Sequence, residues 1–62
     1  MRQWLIDQRK AKGLTQKDVA VLVQISQPSV CDIERGLKTP KISTAKRIAD
    51  VLGFDWTRFF NK

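Results

Sequence analysis

Short polar side chains cluster between Ser26 and Asp32, in a segment with the sequence SQPSVCD. Val30 and Ile33 are three residues apart and predict a helix with an apolar inner face, which leaves the polar groups outside. Hydroxyl, amide and carboxylate groups on such a face match the hydrogen-bonding edges of bases in the major groove of B-DNA. We therefore predict base contacts from one group of residues on this helix: Ser26, Gln27, Pro28, Cys31 and Asp32.

These side chains differ in the contact expected of each. Gln27 can bond adenine through N6 and N7, and the alternative is an ordinary surface amide. Asp32 can accept a hydrogen bond from N4 of cytosine, or it can pair in solvent with Arg35, three residues further along the helix. Pro28 and Cys31 offer apolar contact to a thymine methyl group, although the small thiol can also simply fill space.

The chain is strongly basic, with 12 Lys and Arg against 6 Asp and Glu and a net charge of +6. Such a charge attracts polyanions and makes binding sensitive to salt, although charge alone also fits a basic domain with no such partner. Lys38, Thr39 and Lys41 flank Pro40 and predict a loop that contacts phosphates. Four other basic residues are expected only to add to the positive field: Arg2, Lys10, Lys12 and Lys62.

Apolar spacing and capping residues predict an all-α fold. Thr15, Ser26 and Asp55 can cap helices, and Pro40 cannot lie inside one. No stretch alternates with the two-residue period of a strand. The five predicted helices span residues 2–12, 16–23, 27–35, 42–52 and 56–60.

The predicted inner faces follow from three- and four-residue spacing. They comprise Met1, Leu5 and Arg9 in the first helix, Val19, Ala20, Leu22 and Val23 in the second, and Ile42, Ala45, Ile48, Ala49 and Leu52 in the fourth. Phe54, just before the Asp55 cap, is expected to pack on Phe59. The last helix has more aromatic surface than it needs to bury, so we predict contact with a second copy of the chain through Trp56, Arg58, Phe59 and Phe60.

Gln24 and Ile25 are left to form the turn between the second and third helices. Ile25 is expected to fill the corner between them. Pro28 disfavours helical angles at the residue before it, so either Ser26 or Gln27 can be the cap of the third helix.

Length and composition exclude several classes of protein. The 62 residues fit one domain, residues 1–62, with a core near the lower limit for folding unaided. Cys31 is the single cysteine and histidine is absent, so we expect no disulfide, metal or cofactor. The catalytic constellations of enzymes are missing. No apolar run approaches a membrane span and the N-terminus lacks the features of a signal peptide, so we expect a cytoplasmic protein.

Several short motifs follow one another along the chain: Gly13-Leu14-Thr15-Gln16, the spaced Ala20, Ile25, Val30 and Ile33, Glu34-Arg35-Gly36, Pro40, Ile48-Ala49-Asp50-Val51-Leu52-Gly53, and Phe59-Phe60-Asn61. Together, over nearly the whole chain, they resemble the phage repressor and Cro-type helix-turn-helix proteins, the Xre family. The resemblance implies a compact five-helix bundle of the lambda-repressor type. It also implies a transcriptional regulator, nucleoid-associated and bacterial or phage-encoded, acting as a homodimer on a near-palindromic double-stranded DNA operator. The small size favours a Cro-like repressor.

The resemblance also assigns roles by position. Gln16 matches a residue that bonds a phosphate and braces the first base-contacting side chain, and Arg9 and Glu34 match a salt bridge between the first and third helices. Gln24 departs from the family, which usually has glycine there because the backbone often takes a positive φ, so glutamine implies strain or a different turn. The predicted phosphate contacts are completed by Lys17, Ser29 and Arg35.

The alternative function is a protein-interaction module. In that case the same bundle binds a protein, as an antitoxin-like or anti-repressor partner. The basic charge and the lysine loop argue against it, because protein-binding faces more often display aromatic anchors. RNA binding is disfavoured because the chain lacks the aromatic stacking platform that single strands require.

Overall fold

The structure, a computed structural model, describes residues 1–61, so Lys62 and its expected contribution to the field lie outside the described residues. It contains α1 (Gln3–Ala11), α2 (Gln16–Val23), α3 (Gln27–Arg35), α4 (Ile42–Leu52) and a C-terminal 3₁₀ helix (Trp56–Phe59). These described residues contain no strand, and the prediction of an all-α fold is confirmed. None of the helices in this part of the chain is long and apolar enough to cross a bilayer.

The last helix differs from its prediction as an α-helix over residues 56–60. It is a single 3₁₀ turn that ends at Phe59, with i to i+3 hydrogen bonds from the Arg58 N–H to the Asp55 carbonyl (3.0 Å) and from the Phe60 N–H to the Thr57 carbonyl (2.9 Å). A segment this short satisfies more of its backbone with the tighter 3₁₀ pattern. Helix α1 is also one residue shorter at each end than predicted.

A capping box starts α2. The Asp18 N–H donates to Thr15 Oγ1 at 3.1 Å, and the Thr15 N–H donates to Asp18 Oδ2 at 2.9 Å. These two hydrogen bonds, aided by the charge of Lys17, lower the pKa of Asp18 below 3.8. Because the pKa of Asp18 is lower in the folded chain than in the unfolded chain, this carboxylate stabilises the fold at pH values above its unfolded pKa. That contribution is lost as the pH falls through the folded pKa.

Ser26 caps α3. Its Oγ accepts a hydrogen bond from the Ser29 N–H at 3.2 Å, and Gln27 is the first helical residue. The expectation that Pro28 would displace Gln27 from helical angles is therefore wrong. Pro28 lies in the first turn, where a backbone N–H has no intrahelical acceptor, so its missing N–H breaks no hydrogen bond of the helix.

Gln24 ends α2 in the left-handed conformation, with φ 65° and ψ 44°. The Ile25 N–H then reaches back to the Ala20 carbonyl at 3.0 Å, which closes the corner between α2 and α3. The strained alternative for this turn is therefore the one observed. A side chain in this conformation costs roughly 1–2 kcal/mol relative to glycine before the greater chain entropy of glycine is counted.

Replacing Gln24 by Gly is expected to raise the free energy of unfolding by about 0.5–1 kcal/mol, because glycine adopts positive φ without strain. Urea unfolding followed by circular dichroism measures the change. The matched control is Gln8→Gly in the middle of α1, which should lose about 1 kcal/mol. A Gln24→Gly variant less stable than the native chain would contradict the strain at this turn.

The core lies where α2, α3 and α4 meet, closed by α1 and the 3₁₀ helix. Its buried members are Leu5, Val19, Ala20, Val23, Val30, Ile33, Ala45, Ile48, Leu52 and Phe59. Three predicted inner positions are instead exposed: Met1, Leu22 and Ile42. Met1 precedes α1, Ile42 is the first residue of α4, and Leu22 is turned about 100° from Val23 around the helix axis.

An aromatic cluster joins α1 to the end of the chain. The ring centroids of Trp4, Phe54 and Phe59 lie 5.1–5.5 Å apart, so the predicted packing of Phe54 on Phe59 is confirmed. Asp55 caps the 3₁₀ helix by accepting from the Thr57 N–H (3.0 Å) and hydroxyl (2.8 Å), and these bonds lower the pKa of Asp55. The cluster fixes the last turn against α1.

Candidate nucleic-acid interface

Helix α3 has one buried and one outward side. Val30, Ile33 and Glu34 are buried against the bundle. Of the predicted base-contacting residues, Ser26, Gln27 and Pro28 are exposed at the start of the helix, and Cys31 and Asp32 are half-buried one turn later. The first turn of α3 is therefore the part that a flat or grooved partner reaches most easily.

A buried ion pair fixes the orientation of α3. Arg9 Nε donates to Glu34 Oε2 at 2.7 Å and Arg9 Nη2 donates to Oε1 at 3.3 Å, with the two side chains 12% and 3% exposed. Arg9 Nη1 also donates to the Leu14 carbonyl at 2.9 Å, which ties the start of α2 to the same site. The pair joins α1 and α3, as the family resemblance implies.

Gln16 takes part in this network. Its Nε2 donates to Glu34 Oε1 at 3.0 Å, so the amide group is oriented from within the protein. With three hydrogen bonds from Arg9 and Gln16, the Glu34 carboxylate is satisfied although it is buried. The phosphate contact of Gln16 stays a prediction, and its intramolecular partner is Glu34.

The loop after α3 forms one wall of an open groove of about 240 Å³. Pro40 is buried and anchors the loop, while Lys38, Thr39 and Lys41 are exposed. Four of the predicted phosphate contacts line this groove together: Ser29, Lys38, Thr39 and Lys41. The groove thus brings two lysines and two hydroxyl groups, which are phosphate-binding chemistry, beside the outward side of α3.

Besides Gln16, two predicted phosphate contacts lie outside this groove. Lys17 lines a separate, shallow surface on α2 with Leu14, Asp18, Val21 and Leu22. Arg35 is exposed in the last turn of α3 and is not among the residues that line the loop groove. The structure therefore groups part of the predicted phosphate set around the loop, whereas Lys17 lines a different part of the surface.

Replacing Lys38 and Lys41 together by Ala is expected to lower the salt dependence of DNA binding. Each lost phosphate contact should reduce the slope of log K against log salt concentration by about 0.9, so the double variant should lose between one and two. Fluorescence anisotropy with a duplex at several salt concentrations measures the slope. Lys10→Ala and Lys12→Ala, combined on α1 and just after it, provide the control with equal charge loss. Equal slopes for the two double variants would contradict a specific role of the loop.

The predicted contact with a second copy needs one correction. Phe59 is only 7% exposed and belongs to the core, so it is not available for that contact. Phe60 is 44% exposed, and its ring lies 6.0 Å from the half-buried Trp56. Arg58 stacks over Trp4 at 4.4 Å from the ring centroid. Of the four predicted residues, Trp56, Arg58 and Phe60 remain, and their contact with a second copy stays a prediction.

Sequence reasoning missed Arg2, which was expected only to add to the field. Its guanidinium donates to the carbonyls of Ile33 and Lys38 and to the hydroxyl of Thr39. These partners are 31 to 37 residues away along the chain, and helical spacing carries no signal for a pairing at that separation.

Comparison with known proteins agrees with this geometry. A helix-turn-helix family model matches residues 5–59. The chain is 45% identical over 60 residues to the uncharacterized HTH-type transcriptional regulator YqaF of Bacillus subtilis, covering 97% of this chain and 79% of that protein. It is 36% identical over 53 residues to an uncharacterized HTH-type transcriptional regulator of Methanothermobacter thermautotrophicus, covering 86% and 77%.

A further relative is longer. The chain is 40% identical over 45 residues to the HTH-type transcriptional regulator DdrOP3 of Deinococcus deserti, which covers 73% of this chain but 35% of that protein. No solved structure matches the chain. The match of the family model, the relatives and the α2–turn–α3 geometry agree, and the chain belongs to the Xre-type helix-turn-helix family of transcriptional regulators.

Proposed function

We propose that this chain is a sequence-specific regulator of transcription that binds double-stranded DNA in the cytoplasm, as a Cro-like repressor on a near-palindromic operator. One observation carries the proposal. The exposed first turn of α3 lies beside a groove lined by Lys38, Thr39 and Lys41, so groups suited to bases and groups suited to phosphates share one side of the molecule.

The first turn of α3 suits entry into the major groove. Ser26 and Ser29 hold their hydroxyl groups 2.8 Å apart, which keeps both close to the helix N-terminus. Gln27, the next residue after the cap, is exposed and can reach an adenine. The N-terminal end of a helix also favours the negative charge of the duplex.

The residues one turn further on complete the proposed base contacts. Pro28 and Cys31 provide apolar surface for a thymine methyl group. Asp32, half-buried on the same side of the helix, is the proposed acceptor for N4 of cytosine, and pairing with Arg35 is the alternative. The net charge of +6 attracts the duplex and outweighs the repulsion between its phosphates and the Asp32 carboxylate.

A homodimer fits the exposed end of the chain. Phe60 and Trp56 present adjoining aromatic surface, with Lys46 Nζ 5.1 Å from the centroid of the Trp56 ring. Burial of this surface between two copies is the proposed dimer contact, and an operator-binding dimer presents its two α3 helices to one duplex. A separation of roughly 34 Å, one turn of DNA, is what an inverted repeat requires.

Replacing Gln27 by Ala is expected to relax sequence preference at one symmetric pair of operator positions, with a loss of about 1–3 kcal/mol of discrimination for each bidentate contact. Competition binding with duplexes substituted at single positions measures this. Gln3→Ala, the same change on α1, is the matched control and should leave the preference unchanged. Unchanged discrimination in the Gln27→Ala variant would remove Gln27 from the proposed base contacts.

Selection from a pool of randomised duplexes, followed by sequencing of the bound fraction, tests the proposal as a whole. Recovery of an inverted repeat with half-site centres about one helical turn apart is the expected result. Weak binding that does not depend on sequence and disappears at modest salt concentration would show that the positive charge attracts DNA only non-specifically, and it would overturn the proposal.

One feature favours the second candidate, a protein-interaction module. Val21 and Leu22 are 68% and 56% exposed on α2, away from the buried side of that helix. Two adjacent apolar side chains in solvent suit a protein partner better than a duplex. This candidate predicts that no sequence is enriched from the duplex pool.

A further inference from the structure

Arg2 lies where three parts of the chain meet. Its backbone N–H donates to the Glu34 carbonyl at 2.7 Å, and its Nη1 donates to the Ile33 carbonyl at 2.7 Å. The same Nη1 donates to the Lys38 carbonyl at 2.9 Å, and Nη2 donates to Thr39 Oγ1 at 3.1 Å. One side chain therefore bonds the last turn of α3 and the loop that follows it.

The chemistry of these acceptors explains why a cation sits there. The last carbonyls of a helix have no intrahelical donors, and the C-terminal end of a helix favours positive charge. Arg2 meets both requirements at the end of α3, and its guanidinium carbon lies 5.6 Å from the centroid of the core residue Phe59. The end of α3 and the ring of Phe59 thus both hold the guanidinium in the position from which it donates to the loop.

The loop itself has few internal restraints. Pro40 is buried, but Lys38 and Thr39 on its N-terminal side are exposed, and Arg2 supplies a hydrogen bond to each of them. Gly36 and Leu37, which come between α3 and these residues, donate to the Ile33 and Asp32 carbonyls at 3.2 and 2.9 Å. Gly36 and Leu37 are thus held by the cap of α3, and the bonds from Arg2 hold the next two residues, Lys38 and Thr39, to the same end of the helix.

We propose that Arg2 is a positioning residue for DNA binding, which holds Lys38 and Thr39 against the end of α3 so that Lys38 meets the phosphate backbone together with Lys41. The inference rests on the proposed function, because it assigns a role in contacts that the loop makes with DNA. Arg2 acts through the loop and needs no contact of its own with the duplex.

The variant Arg2→Lys separates this role from that of a simple charge. Lysine keeps the charge but lacks the planar fork that donates to several carbonyls and a hydroxyl at once. We expect its affinity for a duplex recovered by selection on the native chain to fall about tenfold, and its salt slope to fall by about one, the share of the Lys38 contact. Lys10→Ala, which loses one charge on the outer side of α1, should keep nearly the native affinity.

A double-mutant cycle tests whether Arg2 affects DNA binding through the loop. In a chain that already carries Lys38→Ala and Lys41→Ala, adding Arg2→Lys should cost less than twofold in affinity, because the contacts that Arg2 positions are already gone. A full tenfold loss in that background would overturn the proposal, and so would native affinity and slope for Arg2→Lys in the unaltered chain. Failure of the native chain to enrich any duplex would instead overturn the proposed function.

Loss of folding is measured separately. Urea unfolding gives the folded fraction of each variant, and affinities are corrected for it. Heteronuclear NOE values for the backbone amides of residues 38 and 39 should fall in Arg2→Lys while those of α2 stay at native values. Native NOE values in the loop would overturn the positioning role even if the variant proves too unstable for binding measurements.

Discussion

Replacing Glu34 by Ala is expected to lower the free energy of unfolding by about 3–5 kcal/mol, because it leaves the largely buried guanidinium of Arg9 without its carboxylate. Gln16 loses its partner in the same step. A domain of 62 residues has only a few kcal/mol of net stability, so the variant should be largely unfolded at room temperature. Thermal unfolding followed by circular dichroism, with and without a stabilising osmolyte, measures the loss.

The control for this prediction removes both charges together. Arg9→Met combined with Glu34→Leu leaves no unpaired charge and fills similar volume, so it should be markedly more stable than Glu34→Ala. Asp7→Asn, a change of an exposed carboxylate on α1, should have little effect. If Glu34→Ala unfolds at nearly the native temperature, the ion pair does not hold α3 in place.

Replacing Phe59 by Ala is expected to cost about 3–5 kcal/mol of unfolding free energy, because the ring is buried against Trp4 and Phe54 and its loss leaves a cavity. Phe60→Ala, at the next position, should cost less than about 1 kcal/mol, because that ring is 44% exposed. Urea unfolding of the two variants measures the difference.

Phe60→Ala is expected to stay folded and to weaken self-association, because its exposed ring belongs to the proposed interface. Sedimentation equilibrium with operator duplex is expected to show a dimer for the native chain and a weakened dimer for Phe60→Ala. Tm values that fall equally in both variants would contradict the separation of a core ring from an interface ring. An unchanged dimer in Phe60→Ala would remove the C-terminal end from the proposed interface.

Local signals in the sequence predicted much of the fold. Thr15, Ser26 and Asp55 are followed two or three residues later by the backbone N–H groups that they cap, and each of them caps the predicted helix. The positive φ of Gln24 is one of the two alternatives that the family resemblance implies, because the family usually has glycine at this position. Such features depend on neighbours in sequence, which is why residue types alone indicate them.

Other features depend on contacts that spacing does not determine. In α2, Leu22 lies three residues after the buried Val19 and Val23 lies four after it, so helical spacing allows both side chains to face the core. Only the packing partners decide that Val23 is buried and Leu22 is exposed. Phe59 and Phe60 are adjacent and are the same residue type, so the sequence does not show which of the two rings is buried in the core.

The candidate site divides in the same way. Spacing indicates which side of α3 faces outward, and the structure agrees for Ser26, Gln27 and Pro28. The role of Arg2 depends on acceptors brought close by the folding of distant segments. Which base each side chain of α3 contacts depends on how the duplex docks, a geometry that lies beyond helical spacing, and these contacts stay predictions.

Titration of the isotopically labelled chain with a selected duplex, followed by amide chemical shifts, is the most direct test that α3 and the loop form one DNA-binding surface. The expected result is a set of large shifts confined to residues 26–32 and 38–41, with small shifts at Val21 and Leu22 on α2. Shifts centred on Val21 and Leu22, or spread evenly over the basic surface, would contradict the proposed binding mode.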